Sequence, residues 1–579
     1  MKRFRLFLCS LIFLSGTLSV QAASFQPFIP AETLKIAHEA EVRASQLKPA
    51  SEVVRVGIGT SGFASYDYKE ISIFGTDGIQ VFNDGMPSAV FPADTDIKVV
   101  YTGGYFTIYD ADGNITAEMT GPVTFTCDGG LLGVTGLKRA GKQALYHGAL
   151  QLVKKDNNKF NLVNLVEVEE YLKGVVPNEM PVRFGLEALK AQSVAARNYV
   201  LTPRTKSSPN YDVVDSVASQ VYYGANTETE ISDKAVEETT GIVALYGWDL
   251  ILAQYSSTAG GYTESYAYAF SDPKTKEFPS DEKPYLIAKP DMASQTPLDT
   301  EEAAAEFYKS TPDAYDIRSP YFRWTREWEP EELRTALEGT LPAQSATGFV
   351  KPVFKKGEKL GEILSIEVKK RGKSGKIVEL EIITTSGNYK VYKELVIRRL
   401  FTKDGKALPS ANVVFEPQFD NDGKLLSIKA FGGGYGHGVG MSQFGAGFMG
   451  SEMKLPFYKI LQHYYSGITL GTKPVIISAD ETQRTITQNF YAPEKHAEII
   501  VDNKYLVSTL TAEINGKEYT FQLCQGFLPS SRICRIDISK YLKKGINTIT
   551  FSYPVAEGNK KALRLFIELV KRDDAAYDW

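Results

Sequence analysis

Two prolines four residues apart constrain this chain more tightly than any other short stretch of it. The segment Tyr171-Leu-Lys-Gly-Val-Val-Pro177-Asn-Glu179-Met-Pro181 runs into an alanine-rich stretch that ends near Tyr199. Each proline locks its own φ, and Pro181 drives Met180 toward an extended conformation. Pro181 is expected in the first turn of the next helix, where its missing N–H leaves nothing unsatisfied. Glu179 is then a carboxyl group on a stiff mount. In the helix, Ala188, Ala191 and Ala195 recur at i, i+3 and i+7, a small-residue stripe that admits a close neighbour. Lys190, Ser193 and Arg197 repeat that spacing on another face. Spacing alone reads as a solvated helix face beside a surface glutamate.

The chain has 579 residues, enough for several domains. Lys2, Arg3 and Arg5 precede an apolar run from Leu6 to Leu18 and then Val20-Gln-Ala22-Ala23, which reads as a secretory signal peptide over residues 1–23. Its removal takes away three basic residues and no acidic one, moving the formal net charge from -4 to -7. A mildly acidic mature chain argues against nucleic acid or an anionic membrane as the main partner. No later stretch is long and apolar enough for a transmembrane anchor. The expected location is outside the cytoplasm: periplasm, cell envelope or extracellular space. In such a compartment Cys524 and Cys534, flanking a short loop, are expected to form a disulfide, and Cys127 is expected to be buried and structural.

Residues 24–50 read as a leader and linker. Residues 51–150 form a β-rich subdomain of hairpins, punctuated by Thr76-Asp-Gly78, Asn83-Asp-Gly85 and Asp112-Gly-Asn114. Within residues 151–470, two strands feed the Glu179 segment, residues 228–246 read as helical and Asp249–Ser257 as one buried strand. Pro297–Ala314 reads as an acidic, helix-like connector. Residues 471–579 alternate in short β segments around an Asn515-Gly516 turn and read as a β-sandwich, a candidate carbohydrate- or partner-binding module. The fold class is α+β and β-rich, with an all-β C-terminal domain.

Three ordered blocks carry a family resemblance. They are Val166–Pro181 with Leu186–Tyr199, then Gly432-Gly-Gly-Tyr-Gly-His437-Gly-Val-Gly-Met-Ser-Gln443-Phe-Gly-Ala446, then Tyr458-Lys-Ile-Leu-Gln-His-Tyr-Tyr-Ser-Gly467. Together they resemble the SpoIID/LytB family of peptidoglycan-acting proteins, over roughly residues 50 to 470. The resemblance implies a lytic transglycosylase in which Glu179 is the one general acid/base. A hydrolase acting on such a strand would use two flanking carboxyl groups. It also implies a sugar groove lined by Ser257, Thr258 and Tyr262 of Tyr255-Ser-Ser-Thr-Ala-Gly260-Gly261-Tyr262, together with Tyr435, His437 and Gln443. His437 is expected to be a hydrogen-bond donor beside Glu179.

Lys190 and Arg197 are expected to engage a free lactyl carboxylate on glycan stripped of its stem peptides. Close to Glu179 they would lower its pKa, against the needs of an acid catalyst. Some family members hold zinc through histidine and cysteine near the 255–264 loop, and this segment has neither, so no metal is expected. Gly445-x-Gly447-x-x-Gly450 matches a dinucleotide fingerprint in form only, because it lies in a helical stretch with no strand before it, and no cofactor is expected. The expected partner is the peptidoglycan glycan strand. The alternative is a non-catalytic, glycan-binding enhancer of a cell-wall amidase. A third reading is a structural carbohydrate-binding protein acting through the C-terminal β-sandwich.

Overall fold

The computed structural model describes residues 52–155, 158–203, 208–421, 425–494, 496–554 and 562–571. The expected signal peptide (1–23) and leader (24–50) lie outside the described residues.

Two of the three expected hairpin turns form, at Asn83-Asp-Gly85 and Asp112-Gly-Asn114, whereas Thr76-Asp-Gly78 carries the chain from one sheet to another. Asp84 and Gly85 both take positive φ between the strands Ile79–Asn83 and Met86–Phe91, as a tight hairpin requires. A seven-stranded sheet runs in the order Val213–Val214, Val53–Gly57, Lys159–Glu167, Ala149–Lys155, Val123–Thr126, Ile79–Asn83, Met86–Phe91. A six-stranded sheet contains Lys142–Tyr146, Leu132–Arg139, Glu70–Gly75, Ile97–Thr102, Tyr105–Tyr109 and Ile115–Met119. Their alternating apolar faces meet through Phe160 of the first and Phe106 of the second, 5.5 Å between ring centroids.

One buried ion pair ties these sheets to the loop that reaches the Glu179 segment. Arg139 donates to Asp215 Oδ2 at 2.5 and 3.2 Å and to the Gly59 carbonyl at 2.6 Å. Asp215 also accepts the Gly59 N–H, and its own carbonyl accepts from Tyr222.

Helix Leu186–Leu201 buries its alanine stripe completely. The helical reading of residues 228–246 is too long: the helix is Glu230–Glu237, and Val243–Tyr246 is a strand. Gly241 makes the break, at positive φ and against the Asn489 carbonyl, where a Cβ would come within 2.1 Å. The single strand expected over Asp249–Ser257 is instead two short ones, Asp249–Leu250 and Tyr255–Ser256. The chain leaves the first sheet so that Tyr255–Ser256 can pair in parallel with Met441–Ser442.

Between these sits a region with a core of its own. Trp324, Trp328, Leu333, Leu337 and Leu341 pack with Ile377, Leu380, Ile397 and Ala430. The acidic connector is the helix Glu301–Lys309, whose Phe307 and Tyr308 pack with Tyr262, Met292 and Phe322. Residues beyond 470 contribute two sheets. One is Thr485–Tyr491, Ile546–Ser552, Thr509–Ile514 and Lys517–Gln522. The other is shared with earlier chain, since Ala562–Val570 pairs with Thr469–Gly471, which in turn pairs with Val243–Tyr246. Cys524 and Cys534 are disulfide-bonded, with Cα atoms 5.5 Å apart. Cys127 is half-buried rather than buried, its Sγ accepting the Asp77 N–H.

Replacing Arg139 by methionine strands Asp215 in the interior without its cation. Urea titration is expected to show about 3–5 kcal/mol less unfolding free energy. A loss below about 1 kcal/mol would contradict the role given to this pair.

Candidate active site

Glu179 ends a one-turn helix, Val176–Glu179, with Pro177 in its first turn. Met180 is extended, as Pro181 demands, and fully buried. Pro181 does not enter the long helix as expected. It caps the short turn Val182–Phe184, and Gly185 at φ 88° then opens Leu186–Leu201. The carboxyl group is thereby pinned at a corner between two helical segments.

One oxygen of Glu179 accepts the Val221 main-chain N–H at 2.7 Å. The side chain keeps some exposure, yet enough protein surrounds it that burial pushes its pKa up to about 7, against the smaller opposing pull of that hydrogen bond. Gln443 Nε2 donates to the Glu179 carbonyl at 2.8 Å and lies 3.2 Å from Gln192 Oε1. Behind the carboxyl group, Tyr171 Oη donates to Gln220 Oε1 and Gln220 Nε2 donates to Tyr255 Oη. Burial, and then the neighbouring Glu179 charge, hold the Tyr255 phenol well above its ordinary pKa, so it remains an O–H. A protonatable carboxyl group, a neutral phenol and two amides therefore converge here without a second charge.

The two cations face elsewhere. Lys190 pairs with Glu187 at 2.8 Å and Glu238 at 2.5 Å. Arg197, 1% exposed, grips both Glu169 oxygens and the Ile242 carbonyl. The expected role on a substrate carboxylate meets a different arrangement, in which each cation is already paired, Lys190 with Glu187 of its own helix and Glu238, and Arg197 with Glu169. Neither opposes the raised pKa of Glu179.

His437 is also placed differently from expectation. Its Nδ1 accepts the Val439 N–H at 3.1 Å, and the ring hydrogen-bonds the Tyr255 main chain and lies 5.1 Å from Phe270. Burial, with Lys376 and Arg398 nearby, lowers its pKa to about 3, so the ring is neutral. It braces the strand that carries Tyr255 rather than donating to substrate.

Ser257 is half-buried and its carbonyl accepts the Phe444 N–H. Thr258 is buried, with its hydroxyl 2.6 Å from that of Ser319. Tyr262 lies in the Phe307–Met292 core and reaches no groove. Tyr435 stands 42% exposed. Sequence reasoning missed Val221, Gln220 and Tyr255. Only Tyr255 carried a signal, as the aromatic residue opening the Ser-Ser-Thr-Ala-Gly-Gly segment. Among the described residues, His496, Glu498 and Glu568 come close enough together to share a metal ion, but Arg535 already pairs with both carboxylates.

Residues 156–246, which contain Glu179, Val221 and the long helix, match the family model described as Stage II sporulation protein (SpoIID). Residues 273–440 match a family described as a domain of unknown function (DUF8618). The chain is 33% identical over 317 residues to the Amidase enhancer of Bacillus subtilis, an alignment covering 52% of this chain and 40% of that protein. It is 29% identical over 325 residues to Stage II sporulation protein D of the same organism, covering 53% and 76%. No described helix is long and apolar enough to cross a membrane. By the family match, the segment that holds Glu179 is similar to the SpoIID family.

Proposed function

We propose that the chain is an exported cell-wall enzyme, a lytic transglycosylase that cuts peptidoglycan glycan strands with Glu179 as its single acid and base. The observation that supports it most is a lone carboxyl group titrating near neutrality because of burial, with no charged neighbour among the causes of its shift. Protonated Glu179 gives its proton to the glycosidic oxygen as the C1–O4 bond of the muramyl residue breaks. The resulting carboxylate then takes the proton of the same residue's C6 hydroxyl as O6 closes on C1. No water is consumed, the product is a 1,6-anhydro-muramyl end, and the acid is restored. One carboxyl group suffices for this sequence, whereas hydrolysis uses two. The Tyr255 O–H beside Glu179 supplies a donor that carries no charge.

A second reading has one observation in its favour: a relative at 33% identity is named Amidase enhancer. On that reading the groove binds glycan and presents it to an amidase, and Glu179 contributes binding alone.

The mature chain from residue 24 is expected to release anhydro-muramyl products from peptide-free strands, detected by mass spectrometry. Glu179→Gln is expected to lower that rate at least about 100-fold. A fully active Glu179→Gln protein would rule out this mechanism, and a parent chain that binds strands but releases no product would favour the enhancer reading. Because the acid form does the first step, the rate is expected to decline as pH rises above about 7.

The same shift has a stability signature. Glu179 holds its proton more tightly folded than unfolded. Its contribution is thus complete below about pH 4.5 and is lost as pH rises through about 7, at most about 3 kcal/mol. Thermal unfolding is expected to find Glu179→Gln more stable than the parent at pH 8, with the difference gone by pH 5.

A further inference from the structure

Tyr321 and Tyr435 come from different parts of the chain and stack with ring centroids 4.3 Å apart at a 34° tilt. Both remain open to solvent, 37% and 42% exposed. We propose that this pair is a sugar-stacking platform that binds the glycan strand beyond the Glu179 cleavage point. It gives the region matching a domain of unknown function, residues 273–440, a role in holding substrate. The inference rests on the reading of the chain as a glycan-acting protein.

The pair is built from beneath. Tyr435 exchanges main-chain hydrogen bonds with Thr258, at 2.9 and 3.2 Å. The Gly434 N–H donates to the Tyr321 carbonyl at 2.8 Å, and Trp324 Nε1 donates to the Gly434 carbonyl at 3.1 Å. The Tyr321 N–H donates to Ser319 Oγ, whose hydroxyl meets that of buried Thr258. Gly434 takes φ 90°, and a Cβ there would come within 2.9 Å of the Thr258 carbonyl and 3.0 Å of the Ala259 carbonyl. Only glycine lets the backbone press this closely onto the 258–260 loop. Two exposed rings on so well-tethered a base lose little side-chain freedom when a ligand lands on them.

The loop beneath the platform is tied to the segment that holds Glu179. Ser257, next to Thr258, accepts the Phe444 N–H through its carbonyl, and the preceding residue, Gln443, holds the Glu179 carbonyl. Phe444 meets Phe184 edge to face at 4.9 Å, on the turn that follows Glu179. A chain of contacts thus links the 258–260 loop beneath Tyr435 and Tyr321 to the segment that holds Glu179. The nearest exposed cation of this loop, Arg318, is paired with Glu452 at 2.7 Å. An uncharged aromatic surface suits the weakly positive C–H faces of a pyranose, which lie well on the negative face of a phenol ring.

The test uses the mature chain with Glu179→Gln, so that strands are bound and not consumed. Calorimetry with peptide-free glycan strands is expected to show affinity about tenfold weaker for Tyr321→Ala and for Tyr435→Ala, with Tyr321→Phe unchanged. In the Glu179-intact chain the alanine variants are expected to raise KM with kcat unaltered. Thermal unfolding of each variant is expected to match its parent. Unchanged glycan affinity in both alanine variants, with cleavage by the intact chain, overturns the platform and leaves the proposed function standing. If the parent neither binds nor cleaves glycan, both fall. Unchanged glycan affinity with lost binding to an amidase assigns the rings to a protein partner and also overturns it.

Discussion

The hydrogen bond from Gln443 to the Glu179 carbonyl joins residues 264 positions apart, and the site exists only where it closes. It forms because two helices come unusually near. Leu186–Leu201 offers its buried alanine stripe, and Gln443–Ser451 answers with glycines. A Cβ on Gly447 would strike the Phe184 ring at 2.8 Å, and one on Gly450 would approach the Ala188 nitrogen at 3.2 Å. At that separation the Gln443 amide reaches both Gln192 and the proline-framed corner. The Phe444 N–H then fixes Ser257, and the Ser-Ser-Thr-Ala-Gly-Gly loop follows. Loss of backbone proximity here would disperse groups drawn from four distant segments.

Electrostatics around the corner are arranged by separation rather than by compensation. Lys190 holds two carboxylates, and Arg197 holds both Glu169 oxygens and the Ile242 carbonyl. Arg139 and Asp215 neutralise each other in the interior. What remains beside Glu179 is amide, phenol and main-chain N–H, which stabilise a carboxyl group of either protonation state less strongly than a cation stabilises its anion. The surroundings therefore leave the proton on the acid through desolvation.

The proline corner, the Asp-Gly hairpins and the disulfide were legible because each depends on a few neighbouring residues with strong conformational or covalent preferences. The alanine stripe announced a close neighbour, which is the helix Gln443–Ser451. Periodicity could not name what covers a face: Lys190 and Arg197 align on one side of the helix, but Glu169 and Glu238, which claim them, come from other elements. Tyr262 was misplaced for the same reason, since its burial depends on Phe307 and Met292 in the connector region. Val221 was invisible in principle, because its contribution is a main-chain N–H and any residue other than proline supplies one. His437 was expected as a hydrogen-bond donor beside Glu179, but its ring is engaged by the main chain of Val439 and Tyr255.

Strand Ala562–Val570 has a consequence for how the molecule comes into being. It bridges Thr469–Gly471, Val475–Ser478 and Glu498–Asp502, and through the first of these it is joined to Val243–Tyr246. A ribosome must add more than 300 residues after Val243 before that sheet has its central strand. Until then the growing polypeptide carries an unfilled seam of N–H and C=O groups beside the helix that will support Glu179, an edge that invites wrong pairings. A product that stops before Ala562 lacks the seam's filling strand and exposes its open edge to proteases.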